Sequence, residues 1–188
     1  QVAMGDDGYA VIIWQQSNGI HEQIFKSEYQ AGNWTHPNDL ADNISPDGKN
    51  AVACRVALND LGHALIVWQQ SDGFDTQIFM SQGVGGSWVH PTSLTDNISP
   101  DGQPTAFPEV ALDNTGNALI AWNQLDGLST QVFISEFREN SWTHPSNVLD
   151  NISPLAESAW LPQLAMDDNG NALVTWFQED GNKLQVFK

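Results

Sequence analysis

A 54-residue internal repeat limits this chain more than any other feature of its sequence. Val2-Ala3-Met4, Val56-Ala57-Leu58, Val110-Ala111-Leu112 and Leu164-Ala165-Met166 open four copies, each starting 54 residues after the last. Trp14, Trp68, Trp122 and Trp176 keep this spacing, as do Trp34, Trp88 and Trp142. So do Asp42-Asn43-Ile44-Ser45, Asp96-Asn97-Ile98-Ser99 and Asp150-Asn151-Ile152-Ser153. Three copies are complete and the fourth is partial, which divides the chain into units 1–55, 56–109, 110–163 and 164–188. Repeats of this kind stack equivalent units so that neighbours bury each other's apolar faces.

Each unit reads as four short strands. In the third, Glu109–Leu112 forms strand A, and Asp113-Asn114-Thr115-Gly116 supplies a turn with glycine free to take a left-handed position. Asn117–Asn123 forms strand B, with Ile120 and Trp122 on one face and Leu119 and Ala121 on the other, and it leads to the hairpin signal Asp126-Gly127. Strand C is Thr130–Ser135. Strand D starts at Ser141-Trp142-Thr143 and continues past Pro145, where proline demands an edge or a bulge. No segment keeps a 3.6-residue apolar period, so helix is expected to be minor.

Sheets that are apolar on both faces must be covered on both sides, which copies packed around an axis achieve. The predicted fold is therefore an all-β propeller of four-stranded antiparallel blades, a single domain or part of one. A β-solenoid is excluded because its rungs run to about 20–30 residues. Val2, Val56, Val110 and Leu164 are expected near the axis. Two closures stay open: a four-bladed ring lacking one outer strand, or a larger ring completed by self-association or by further blades. The chain opens on Gln1 and reads as a processed or excised part of something longer.

The motif Val-Ala-Leu-Asp-x-x-Gly-Asn-Ala, then Trp-x-Gln-x-Asp-Gly, Gln-Val-Phe-x-Ser and Ser-Trp-Thr-x-Pro, resembles bacterial propeller repeats of the sialidase and Asp-box class. As in an Asp-box, Ser and Trp lie seven residues apart at Ser27/Trp34, Ser81/Trp88 and Ser135/Trp142, while the intervening Asp is replaced by Tyr29, Gly83 and Phe137. The resemblance implies the fold and an extracellular or cell-envelope location. Sialidases grip a substrate carboxylate with three arginines; this chain has only Arg55 and Arg138, on an inner strand and an outer hairpin.

Charge narrows the partners. With 23 acidic residues against 6 Lys and Arg, the net charge of −17 excludes nucleic acid and anionic membranes. No apolar run reaches the roughly 20 residues of a membrane span. The single cysteine, Cys54, forms no intrachain disulfide and belongs to no zinc motif. His36, His90 and His144 recur in step on outer strands of separate blades, about 14 Å from the A strands at about 4.8 Å per strand. They are expected to pack or cap those strands. His21 and His63 read as solvated hairpin tips. The periodic tryptophans are assigned to the blade-to-blade core, and the repeated Asn-Ile-Ser is read as turn chemistry rather than glycosylation.

No cofactor is expected, apart from Ca2+ as the ion that the acidic A–B turns suit. Asp6, Asp60, Asp113, Asp167 and Asp168 would ring the channel on one face, and oxygen ligands favour hard cations; the same residues also build Asx turns. The opposite face carries loops that differ between copies, the B–C tips Ile20-His21-Glu22, Phe74-Asp75-Thr76, Leu128-Ser129-Thr130 and Asn182-Lys183-Leu184. Trp160 is the one tryptophan outside the two periodic series. Trp160, Phe107, Phe74 and His21 are therefore the candidate ligand contacts. The expected function is a non-catalytic module that binds glycan or protein, with a structural assembly repeat as the alternative and a glycoside hydrolase third.

Overall fold

The computed structural model describes every residue except Ala156 and Asn182. Four antiparallel sheets follow one another along the chain. Blade 1 holds β1 (Val2–Met4), β2 (Ala10–Ser17), β3 (Glu22–Gln30) and β4 (Asn33–Thr35); blade 2 holds β5 (Ala51–Leu58), β6 (His63–Ser71), β7 (Thr76–Val84) and β8 (Ser87–Val89). Blade 3 holds β9 (Thr105–Leu112), β10 (Ala118–Leu125), β11 (Thr130–Arg138) and β12 (Ser141–Thr143). Blade 4 comprises β13 (Ala159–Met166), β14 (Ala172–Glu179) and β15 (Leu184–Phe187). Every strand pairs with its sequence neighbour, and the first strands of adjacent blades pack together along the axis. The propeller is all-β as predicted, with three full blades and a partial fourth, and the ring is not closed.

Alternation along the second and third strands explains the packing. Val11, Ile13 and Ile24 of blade 1 face Ile66, Trp68 and Phe79 of blade 2. The next interface repeats the scheme, with Val67 and Ile78 against Ile120, Trp122 and Phe133, and the third sets Val132 against Val174, Trp176 and Phe187. Each tryptophan stacks on the phenylalanine of the next strand, at 6.1 Å for Trp68–Phe79 and Trp122–Phe133.

The repeated Asn-Ile-Ser-Pro turn fastens each interface. Its serine ties it to its own blade: Ser45 Oγ accepts the Ile24 N–H at 3.0 Å and Ser99 Oγ accepts that of Ile78 at 3.0 Å. Its isoleucine, Ile44 or Ile98, inserts into the aromatic cluster of the following blade. Its proline carbonyl accepts from a glutamine there: Gln70 Nε2 to Pro46 O at 2.6 Å, Gln124 to Pro100 O at 2.5 Å, and Gln178 to Pro154 O at 2.6 Å. The turn-chemistry reading of this motif thus holds, and the turn also joins one blade to the next.

In blade 3, strand B extends to Leu125 and strand C to Arg138, beyond the expected Asn123 and Ser135, and the boundaries of strands A and D differ for local reasons. The A strand of blade 3 starts at Thr105, four residues before Glu109, because a bulge interrupts its pairing with β10. Ala53, Phe107 and Leu161 occupy these bulges with φ of 55°, 55° and 53°, left-handed values that non-glycine residues rarely adopt. Strand D ends at Thr143 instead of passing Pro145. His144 turns inward to Ser135, Nδ1 to Oγ 2.9 Å, and the next residue has no N–H to continue a ladder.

Candidate functional site

The bulges shape a groove at the end of the propeller where the B–C loops emerge. Trp160 lies opposite Phe177 across β13 and β14, and both point to the side of blade 4 away from blade 3. Together with Phe107, Leu161, Glu179 and Leu184 they line a hollow of about 580 Å3. The structure therefore brings together two of the four candidate contacts, Trp160 and Phe107. The other two stand apart. Phe74 is almost fully exposed at its own blade's tip, beside a separate hollow with Leu94 and Asn97. His21 is held in a turn by its N–H to Asn18 Oδ1 at 2.9 Å. Asn182, in the fourth tip, lies outside the described residues.

Phe177 was missed in the sequence, and its position explains the groove. The equivalent places in blades 1–3 hold Gln15, Gln69 and Asn123. Asn123 clips the A strand of the next blade, donating from Nδ2 to Ala159 O and accepting the Leu161 N–H, both at 2.9 Å. A phenyl ring cannot make that clip. Trp160 likewise replaces Val52 and Ala106. Where blade 3 has this polar clip, the corner of blade 4 has aromatic surface.

An ion pair joins neighbouring A strands. Arg55 Nε donates to Glu109 Oε1 at 3.1 Å, and the two residues hold the same place in successive repeats, with Gln1 and Gln163 in the others. Glu109 is two residues beyond Phe107 on β9. The arginine fixes the direction of this carboxylate.

A second polar cluster lies on the outer wall between blades 1 and 2. Tyr9 Oη donates to Glu28 Oε2 at 2.7 Å, Lys26 pairs with Glu28, and the Lys26 ammonium stands 4.8 Å from the Trp88 ring centroid. Burial pushes the Glu28 carboxyl up, but the hydrogen bonds from Lys26 and Tyr9 outweigh it and hold the group below the usual range. Burial and Glu28 raise the Tyr9 hydroxyl above the usual phenol range. The recurrent histidines pack as expected. His36, His90 and His144 stack on Trp34, Trp88 and Trp142 and bond to Ser27, Ser81 and Ser135. Burial lowers His90 to about 4 and also lowers His144.

The acidic A–B turns are occupied by their own backbone. Asp113 Oδ1 accepts the N–H groups of Thr115 and Asn117 at 2.8 and 2.7 Å, and Asp167 Oδ1 accepts those of Asn169 and Asn171 at 3.0 and 2.8 Å. Neighbouring turns are also linked, since Asp60 accepts from Asp6 N–H and donates its own N–H to Asn114 Oδ1. Among the described residues, no group of three or more His, Cys, Asp or Glu side chains is placed to hold a metal ion.

No known protein-family profile matches the sequence, and no curated protein matches it either. Solved structures do. An endo-arabinase from Bacteroides thetaiotaomicron VPI-5482 superposes with a TM-score of 0.54 at 10% identity, over 99% of this chain and 72% of the arabinase. An ulvan lyase of polysaccharide lyase family PL25 superposes with a TM-score of 0.62 at 14% identity, over all of this chain and 54% of the lyase. The polysaccharide lyase Uly1 gives 0.54 at 10% identity, and this chain covers 48% of it. The chain thus spans about half the length of these lyases, and at such identities the likeness shows the fold. It also corrects the expected function. Each of these neighbours is an enzyme, and this overturns the expectation of a non-catalytic binding module and of a chain that is not an enzyme. That inference leaned on the missing arginine triad, which excludes one chemistry and not catalysis by a propeller at large.

Proposed function

We propose that this chain is propeller sequence of a carbohydrate-active enzyme, with a polysaccharide lying along the aromatic groove of blades 3 and 4. The carrying observation is that groove: Trp160, Phe177 and Phe107 form apolar surface, with Phe177 at the position where blade 3 has the polar clip of Asn123. Flat rings on a rigid strand edge suit the apolar face of a pyranose or furanose. The glycan-processing neighbours support the same class. The net charge of −17 favours a neutral polysaccharide over a sulfated or uronate-rich one, since an acidic surface repels polyanions. One carboxylate, that of Glu179, lines the groove itself. Glycoside hydrolysis draws on carboxylates as acid, base or nucleophile, and Glu179 is the one this groove offers. Export to the cell exterior accompanies this reading, because polysaccharides are met there.

The test is incubation with arabinan, other neutral polysaccharides and ulvan, with reducing ends and unsaturated products measured separately. Cleavage or binding of a neutral polymer is expected. Trp160→Ala is expected to weaken that binding about tenfold, equivalent to about 1.4 kcal/mol, and Glu179→Gln to remove cleavage. Action on ulvan alone would overturn the neutral-substrate assignment, and neither binding nor cleavage of any polymer would overturn the reading as a whole.

A further inference from the structure

The two outer faces of the blade array are not alike. Blade 4 has diverged at its corner, whereas the free face of blade 1 keeps the elements that make the other blades dock. Trp14 stacks on Phe25 at 5.9 Å, as Trp68 stacks on Phe79 at 6.1 Å. The Trp14 indole N–H donates to Gln16 Oε1 at 2.9 Å, as Trp68 donates to Gln70 and Trp122 to Gln124. In blades 2, 3 and 4 the amide nitrogen of that glutamine is used on the proline carbonyl of the preceding blade's turn. Among the described residues, Gln16 Nε2 has no such acceptor. Beside it Trp14, Phe25 and Leu40 border an open hollow of about 330 Å3. In blades 2 and 3 an isoleucine of the preceding turn, Ile44 or Ile98, packs against the corresponding aromatic pair.

We propose that the Trp14–Phe25–Gln16 face is a socket for the Asn-Ile-Ser-Pro turn of a further blade of this same repeat, with its isoleucine in the hollow and its proline carbonyl on Gln16 Nε2. The argument is continuity with an established interface, since the same aromatic pair, glutamine and tryptophan-to-glutamine bond are seen occupied in the other blades. A second copy of this chain offers no free turn of this kind: those of residues 43–46, 97–100 and 151–154 already hold their own following blades. The occupant is therefore an additional blade, and the proposal does not depend on the polysaccharide reading.

The test extends the full 188-residue chain. Glu109 is the repeat equivalent of Gln1, so a copy of residues 55–108 joined directly before Gln1 presents a turn in the correct register. The extended protein should melt at least about 5 °C higher than the parent, given about 2–4 °C per kcal/mol for a domain of this size. Most of that gain should vanish on Gln16→Ala, and on Ile→Ser at the added copy of Ile98. The same Gln16→Ala in the parent chain should leave its melting point within about 1 °C. A gain that survives both substitutions, or no gain in a soluble extended protein, overturns the proposal. So does a parent chain that sediments as a dimer and becomes monomeric on Trp14→Ala, because the socket would then belong to a second copy.

Discussion

Trp122 and Gln124, two residues apart on β10, act as one fastener: the indole N–H donates to the amide oxygen at 3.2 Å, and the amide nitrogen reaches the carbonyls of Pro100 and Gln103 in the blade before. Both side chains are almost wholly buried. Trp122→Ala should cost on the order of 3–5 kcal/mol of unfolding free energy. Gln124→Ala should cost about 1–3 kcal/mol, because it leaves buried carbonyls without partners. Urea denaturation of the two variants checks both figures, and a loss below about 1 kcal/mol for Trp122→Ala would contradict the core assignment.

Ala53 tests the bulge. With φ at 55° it holds a conformation that glycine adopts freely, whereas a β-branched side chain there clashes with its own backbone. Ala53→Gly should raise stability by up to about 1 kcal/mol, against the usual cost of glycine in a strand, and Ala53→Val should lower it by more than about 1 kcal/mol. The same denaturation measurement decides between relief of strain and loss of rigidity.

Gly83 shows why one repeat departs from its siblings. Tyr29 and Phe137 hold this position in blades 1 and 3 and tilt against Trp34 and Trp142 at 5.2 Å, but in blade 2 the ring of Trp88 occupies the space itself. A Cβ at Gly83 would meet that ring at 2.7 Å. Gly83→Ala should therefore displace Trp88 from beneath the Lys26 ammonium and lower stability by about 1–3 kcal/mol. A near-ultraviolet circular dichroism change would report the moved indole.

Acid should weaken the fold in two stages. His90, lowered to about 4, and His144, also lowered, bind protons more readily in the unfolded chain, where histidine titrates near 6.5. Their contribution is complete above about 6.5 and is lost as pH falls from there through the folded pKa. Glu28, Asp113 and Asp167 have lowered carboxyl pKa values, so their contribution is present above the usual carboxylate range and is lost below it. The melting temperature should fall between pH 6.5 and 4, and fall further below that. His90→Gln, which keeps a hydrogen-bonding group for Ser81, should flatten the first stage.

Spacing made the blade legible, since a period of 54 residues with tryptophan registers on the second and fourth strands identifies equivalent strands without a template. The bulge was not legible. Phe107 breaks the alternation and Pro108 looks like a stop, so the A strand seemed to begin at Glu109 although it begins at Thr105. At the groove, Trp160 and Phe107 stood out because they depart from the repeat. Phe177 departs just as clearly from Gln15, Gln69 and Asn123, but an aromatic residue inside a strand passes for core, and only the pairing with Trp160 shows that it faces outward. Catalytic capacity was not legible either, because the missing arginines concern one reaction and the carboxylates are too many for the sequence to single out a pair.

The Asn-Ile-Ser-Pro turn also has a mechanical meaning. Each turn is stitched to its own blade by serine and buckled to the next by isoleucine and a proline carbonyl, so force passes along the array through a series of similar couplings. Pulled from its two ends, the protein would give way one blade at a time, each step releasing about 190 Å of chain, that is, 54 residues at roughly 3.5 Å each. The order of rupture would rank the buckles by strength, with blade 4, which lacks an outer strand here, parting before the blades that hold each other on both sides.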